Sequence, residues 1–279
     1  MAIEQKILTF GTNKVGTIGG KLMGWDIYFQ AKAFIEVANI TDPTQITAIN
    51  YLVKELVDNN LMSKFRFIYP MIGGDATKHR YNLVDTKAFQ LTFVGGWTHG
   101  ANGALPNGVN AYATTGFAPS TIIENNIHFS YYSRTNSQIT NEYVMGGSSP
   151  GAGFPVIYLR IRNEGNQSMA GVGNTNSNQP AVSGTMIDSR GLFTGNFQSD
   201  TLRQLIKNKT ILNQNTVNQA LSKPTLPIFL GSYNNNNAPL SFTNKECAFA
   251  SVGNGMTNVE QELFYDIVQA YQTILGRNV

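Results

Sequence analysis

What most constrains this chain is the content of residues 65–252: short apolar or alternating segments, each closed by Gly, Asn or Pro, with no amphipathic helix between them. The segments read as strands are Ala88–Val94, Ala111–Gly116, Ile127–Arg134, Glu142–Gly146, Val156–Arg162, Ser168–Gly173, Val182–Asp188, Gly191–Gln198, Leu226–Tyr233 and Glu246–Val252. In Val156–Arg162 the period is two: Ile157, Leu159 and Ile161 share one face, and Arg160 and Arg162 the other. Tyr131 and Tyr132 must likewise face opposite sides of one strand. Asn102-Gly103 and Asn107-Gly108 are turn signals, and Asn234–Asn237 reads as a polar loop. Many short strands without crossover helices close into a sandwich rather than a parallel sheet, so the expected fold is mainly β, a jelly-roll sandwich.

Two helices flank this region. Asp42 is a good N-cap and Pro43 suits the first helical position, so a helix is predicted over residues 43–62, with Ile46, Ile49, Val53, Leu56, Val57 and Leu61 on its buried face. Thr257 and Glu260 have capping-box spacing and open a second helix, 258–275, stopped by Gly276. Its apolar face is read as Val259, Leu263, Phe264, Ile267, Val268, Tyr271 and Ile274. Residues 1–32 are dense in Gly, which disfavours an isolated helix or strand, yet carry Trp25, Tyr28 and Phe29, which favour burial. Two readings stand: an extended arm that orders against another surface, or an edge strand on its own domain. The domain division is 1–32 for the arm and 33–279 for the sandwich with both helices.

Charge excludes several functions. Twenty Lys and Arg against 17 Asp and Glu give +3, with no basic run for nucleic acid, and only 13% of residues are charged. No apolar stretch approaches the ~20 residues that span a bilayer. Residues 1–6 lack the basic and apolar regions of a secretory signal, and Cys247, the only cysteine, allows no internal disulfide. Such a chain is expected to fold in a reducing cytoplasm.

No catalytic pattern is complete in the sequence. Gly16–Leu22 resembles a phosphate loop but has Val15 and Leu22 where Gly and Ser/Thr are required. His79, His99 and His128 accompany no nucleophile elbow, and Cys247 reads as a buried structural thiol. His79 with Asp75 and Asp85 is the best metal-like grouping and a weak one, Asp85 reading better as a turn anchor. No strand carries acids at i and i+2, and Glu142, Asp188 and Asp200 read as isolated solvated residues. The chain is therefore expected to be no enzyme and to need no cofactor or metal. What remains is recognition. Sugar rings stack on aromatics, and neutral amides bond hydroxyls without the desolvation cost of charge. Trp97, His99, Asn102, Tyr233 and Asn235 are the candidate glycan contacts, although Trp97 reads better as a core anchor and the asparagines as turn formers.

Four runs carry a resemblance: Phe67–Gly74 with His79–Asp85, Phe93–His99 with Asn107–Ala113, Phe129–Thr135, and Ala248–Thr257 with the helix after it to Arg277. Over roughly residues 41–277 the chain is similar to virion structural proteins of tailed phages of gut Bacteroidetes, including crAss-like phages. The resemblance implies a concanavalin A-like (laminin-G-like) jelly roll on a head fibre, tail fibre or related appendage, located in the virion. The implied partners are capsid or tail subunits and further copies in a homo-oligomer, with host surface glycan as a looser one. In such a protein, residues 1–32 would be the attachment arm, with Trp25, Tyr28 and Phe29 as anchors. No legume-lectin metal pattern accompanies the resemblance, so lectin activity does not follow from the fold.

Overall fold

A computed structural model describes residues 9–10, 13–14, 28–151, 155–174 and 182–279. The body is mainly β, a sandwich of two antiparallel sheets with a layer of helices against one of them. The nine-stranded sheet runs, in spatial order, Val182–Thr185, Gln167–Asn174, Pro155–Arg160, Met145–Ser148, Phe229–Leu230, Tyr112–Thr114 and Thr92–Val94. A hairpin of Tyr233–Asn235 and Ala238–Leu240 joins it beside Met145–Ser148. The eight-stranded sheet runs Thr210–Asn215, Leu202–Lys207, Gly191–Ser199, Ile127–Ser133, Cys247–Gly253, Gly103–Pro106 and Trp97–Gly100, with Phe65–Tyr69 also paired to Cys247–Gly253. Thr9–Phe10 pairs with Asn13–Lys14 in a ladder separate from both.

Side-chain alternation builds two cores from the eight-stranded sheet. Phe67, Tyr69, Phe129, Tyr131, Ala250 and Val252 point into the sandwich, where Ile157, Leu159 and Ile161 meet them from the opposite sheet. Ile68, Tyr132, Leu192 and Phe249 point the other way, into the helices. The expected split of Tyr131 and Tyr132 is what the strand shows.

The helices are α1 (Phe29–Val37), α2 (Pro43–Asp58), the single turn α3 (Ala76–His79) and α4 (Asn258–Ile274). In α2 the Asp42 carboxylate accepts from Gln45 N at 2.9 Å, and Ile49, Leu52, Val53 and Leu56 are fully buried. In α4, Glu260 N donates to Thr257 Oγ1 at 3.3 Å and Thr257 N to Glu260 Oε2 at 2.7 Å, the reciprocal box its spacing predicts. Val259 is 77% exposed, so the buried face begins later than expected, with Phe264, Ile267, Val268 and Tyr271. Past the last turn, Gly276 takes φ 65° and Arg277 N reaches back to Gln272 O. Arg277 itself is buried, donating to the carbonyl oxygens of Pro70, Met71 and Ala248. No helix among the described residues is long and apolar enough to cross a membrane.

Two sequence expectations shift. The N-terminal boundary at residue 32 cuts through α1: Ala31 and Phe34 are buried against α2, so residues 28–32 belong to the body. The strand read at Ala88–Val94 is only Thr92–Val94, because Phe89 adopts φ 54°, which no strand tolerates.

Candidate functional site

Two glycines shape the outer face of the nine-stranded sheet. Gly146 and Gly171 lie on either side of Tyr158 in the register. A Cβ at Gly171 would lie 2.5 Å from the Tyr158 ring, and one at Gly146 2.9 Å from the Tyr233 ring. Bare backbone at these two positions lets both rings lie close against the sheet. Tyr143 completes the group, edge-on to Tyr158 at 5.6 Å between centroids and tilted against Tyr233 at 4.8 Å. Val156, Met169 and Leu240 fill the gaps. Burial raises the hydroxyls of Tyr158 and Tyr233 to about 12, which keeps both protonated at neutral pH.

Arg160 stands over this floor. Its guanidinium carbon is 4.7 Å from the Tyr143 ring centroid, a cation–π arrangement. Its Nε donates to Glu142 O at 3.1 Å and its Nη2 to Asn141 Oδ1 at 3.3 Å. The asparagine run forms a hairpin turn rather than an open loop. Asn236 and Asn237 take φ 50° and 68°, and Asn237 N donates to the buried Asn234 Oδ1 at 2.7 Å. Asn235, Asn236 and Asn237 are exposed at the rim. Tyr158 and Tyr233 are buried and half-buried Tyr143 caps them, with a cation and neutral amides at the edge, chemistry suited to holding polyols.

The structure divides the expected contacts. Tyr233 and Asn235 belong to this face, whereas Trp97, His99 and Asn102 lie on a hairpin at the edge of the other sheet. Trp97 is held from within: its Nε1 donates to Val94 O and Tyr112 O, both at 3.1 Å, and its ring packs against Phe93 and Gly231. These contacts anchor the indole to the fold. His99 Nδ1 lies 2.9 Å from His79 Nδ1, and Asn102 sits in the exposed turn of the hairpin. Gly74 N donates to His79 Nε2, so the proton of neutral His79 resides on Nδ1 and is given to His99. Burial first, then His99 and Arg277, lowers the His79 pKa to about 3. Tyr28 donates to Asp58 Oδ1 at 2.5 Å, and Phe29, on the exposed side of α1, is 66% accessible. Trp25 lies outside the described residues.

The acids are occupied structurally. Glu142, expected to be a solvated edge residue, is instead fully buried, accepting from Lys245 Nζ and Thr243 Oγ1. Asp188 accepts from the Arg190 side chain at 3.0 Å and from its amide, and Asp200 from Leu221 N at 3.0 Å. Asp75 caps α3 through Lys78 N, and Asp85 anchors a turn through Lys87 N. No grouping of three or more His, Cys, Asp or Glu suited to a metal occurs among the described residues. The Cys247 thiol is buried and pushed up to about 12. Tyr143, Tyr158 and Arg160 are the residues that sequence reasoning missed. Alternation along Ile157–Arg162 placed Arg160 on the face opposite Ile157, Leu159 and Ile161, but nothing local brought Tyr143 and Tyr233 to it.

No protein-family model matches the sequence, and no curated protein matches it. Among solved structures, the chain is similar to domain 4 of AbnA, a GH43 extracellular arabinanase from Geobacillus stearothermophilus, determined in complex with arabinotriose. The TM-score is 0.53 at 13% identity, over 74% of this chain and 98% of that one. It is also similar to the Trypanosoma rangeli sialidase in complex with sialic acid, with a TM-score of 0.53 and 10% identity over 79% of this chain. That match spans 38% of the sialidase. At these identities the likeness is one of fold, and it supports a jelly-roll sandwich for this chain.

Proposed function

We propose that this chain is a non-catalytic carbohydrate-binding jelly roll, and that its glycan surface is the outer face of the nine-stranded sheet. The observation that carries the reading is the convergence of Tyr143, Tyr158 and Tyr233 from three separate segments over Gly146 and Gly171. Aromatic rings with Arg160 and exposed amides at the rim match what a sugar offers, C–H faces ringed by hydroxyls. Supporting a non-catalytic role, the acids Glu142, Asp188 and Asp200 are each engaged in holding the fold. The likeness in fold to an arabinanase domain whose structure is in complex with arabinotriose is compatible with this reading. A glycan array with the full chain tests it. Binding that is lost in Tyr143→Ala and kept in Trp97→Ala supports the reading, and absence of binding to any glycan rejects it.

We further infer that the jelly roll is carried on a phage virion, as its sequence resemblance implies. What supports attachment through the helical end is Phe29, which rims a groove of about 400 Å³ shared with Ala33, Leu83, Val84 and Lys87. Mass spectrometry of purified particles should find the chain there. Deleting residues 1–27 together with Phe29→Ala, which spares the buried face of α1, should prevent its incorporation while leaving a folded body. Particles that take up the truncated chain normally would reject the attachment role.

A further inference from the structure

We propose that Tyr112 is a second sugar platform on the same sheet face as Tyr143, and that the ligand is an extended oligosaccharide lying across the sheet from one to the other. The inference rests on the carbohydrate-binding reading and names its ligand class, a chain of several sugar units rather than a single terminal one. It begins from the register of the nine-stranded sheet. Tyr158 pairs with Gly146, Gly146 with Phe229, Phe229 with Thr114 and Thr114 with Thr92, so one row of residues runs across five strands. Partners in a ladder share a face. Ile157, Ile228, Leu230 and Ala113 point into the sandwich core, so by alternation Phe229, Thr114 and Tyr112 lie on the outer face with Tyr158.

Tyr112 has the features of such a platform. Its ring is stacked on that of Phe229, with 4.8 Å between centroids and 30° between planes, and Phe229 is buried while Tyr112 is half-buried. The buried partner holds the tyrosine in place, so little ordering is required on binding. Val94, the register partner of Tyr112 on the edge strand, is 40% exposed, and the hydroxyls of Thr114 and exposed Thr92 border the ring on the same face. The hairpin of Tyr233–Asn235 and Ala238–Leu240 stands between this ring and the Tyr158 flank, where Tyr143 sits. The hairpin joins the sheet at Gly147, Ser148 Oγ donates to Asn234 O at 3.3 Å, and Tyr233 lies over Gly146. Exposed Asn235, Asn236 and Asn237 therefore offer neutral amides between the two platforms. The strands of Tyr158 and Tyr112 are three spacings of about 4.8 Å apart, roughly 14 Å across the sheet. A single sugar ring cannot cover that span. A chain of several units can, with rings on the tyrosines and hydroxyls against the amides.

The test is isothermal titration of the full chain with cello-, xylo-, manno- and malto-oligosaccharides of one to six units, the same series being printed on the array. In at least one series, affinity should rise about 5- to 10-fold from the disaccharide to the hexasaccharide, the worth of one added aromatic contact. Tyr112→Leu, which keeps an apolar cover on Phe229, should flatten that rise, and Tyr112→Phe should keep it, with thermal unfolding showing that each variant folds. If Tyr112→Leu does not fold, Val94→Arg serves instead: a long side chain set beside the ring from the exposed edge strand should flatten the rise. Affinity independent of chain length and lost in Tyr143→Ala, or a rise that survives Tyr112→Leu in a folded chain, would overturn the extended-ligand proposal while upholding the glycan surface. Binding on the array to other glycans with none of these linear series bound would overturn it as well. Failure of every glycan to bind, in titration and on the array alike, would overturn both readings.

Discussion

Lys245 Nζ and the Glu142 carboxylate meet in the protein interior, both completely buried, with Thr243 Oγ1 as the carboxylate's second donor. Glu142 leads into the Met145–Ser148 strand of one sheet and Lys245 into Cys247–Gly253 of the other, so the pair clamps one end of the sandwich. Burial pushes the Glu142 pKa up and that of Lys245 down, in each case against the attraction of its partner.

That balance makes a specific prediction. Glu142→Leu or Lys245→Met alone should cost about 3–5 kcal/mol, because each strands a buried charge. The double change Glu142→Leu with Lys245→Met should cost less than either single one. Urea denaturation of the three variants measures this, and strict additivity would show that the two residues are not coupled.

Acid should weaken the fold before its carboxylates titrate. His128 is fully buried with Nδ1 2.6 Å from Asn254 O, and burial lowers its pKa to about 4. Below its ordinary pKa near 6.5 the unfolded chain takes up a proton that the folded chain refuses until about pH 4. Stability should therefore fall as pH drops through that window, by about 3 kcal/mol from His128, with His79 extending the loss towards pH 3. Denaturation midpoints at pH 7, 5.5 and 4 are the measurement, and a flat profile would contradict the burial argument.

The capping box of α4 can be probed without touching either core. Thr257→Ala removes the acceptor for Glu260 N and should cost about 1 kcal/mol, seen as a lower thermal midpoint with unchanged cooperativity. Thr257→Ser should restore most of it.

Trp97 and Tyr143 separate structure from recognition. Trp97→Ala opens a gap against Phe93 and Gly231 and leaves two carbonyls without their indole donor, costing about 2 kcal/mol or more. Glycan affinity should be unchanged. Tyr143→Ala, at a half-buried surface position, should alter stability by no more than about 1 kcal/mol while abolishing binding. The opposite pattern would return the site to the Trp97 hairpin.

Alternation and turn chemistry were enough to expose the sandwich. Ile157, Leu159 and Ile161 point inward as their spacing demands, and Asn102-Gly103 turns a hairpin. The hairpin of Leu202–Lys207 with Thr210–Asn215 escaped notice because it lies at a sheet edge. Polar residues there occupy positions that a central strand would fill with apolar ones. Glu142 looked like a surface acid because nothing within ten residues of it announces Lys245, which is 103 positions away.

The sequence by itself determined the class of fold, the capped helices at either end and the inward face of each well-patterned strand, since all of these follow from local period and local backbone preference. Only the tertiary structure decided which tyrosines share a surface and that Trp97 serves the interior. Those depend on strand order and register, where side chains distant in sequence meet because hydrogen-bonded ladders, not chain proximity, set their spacing.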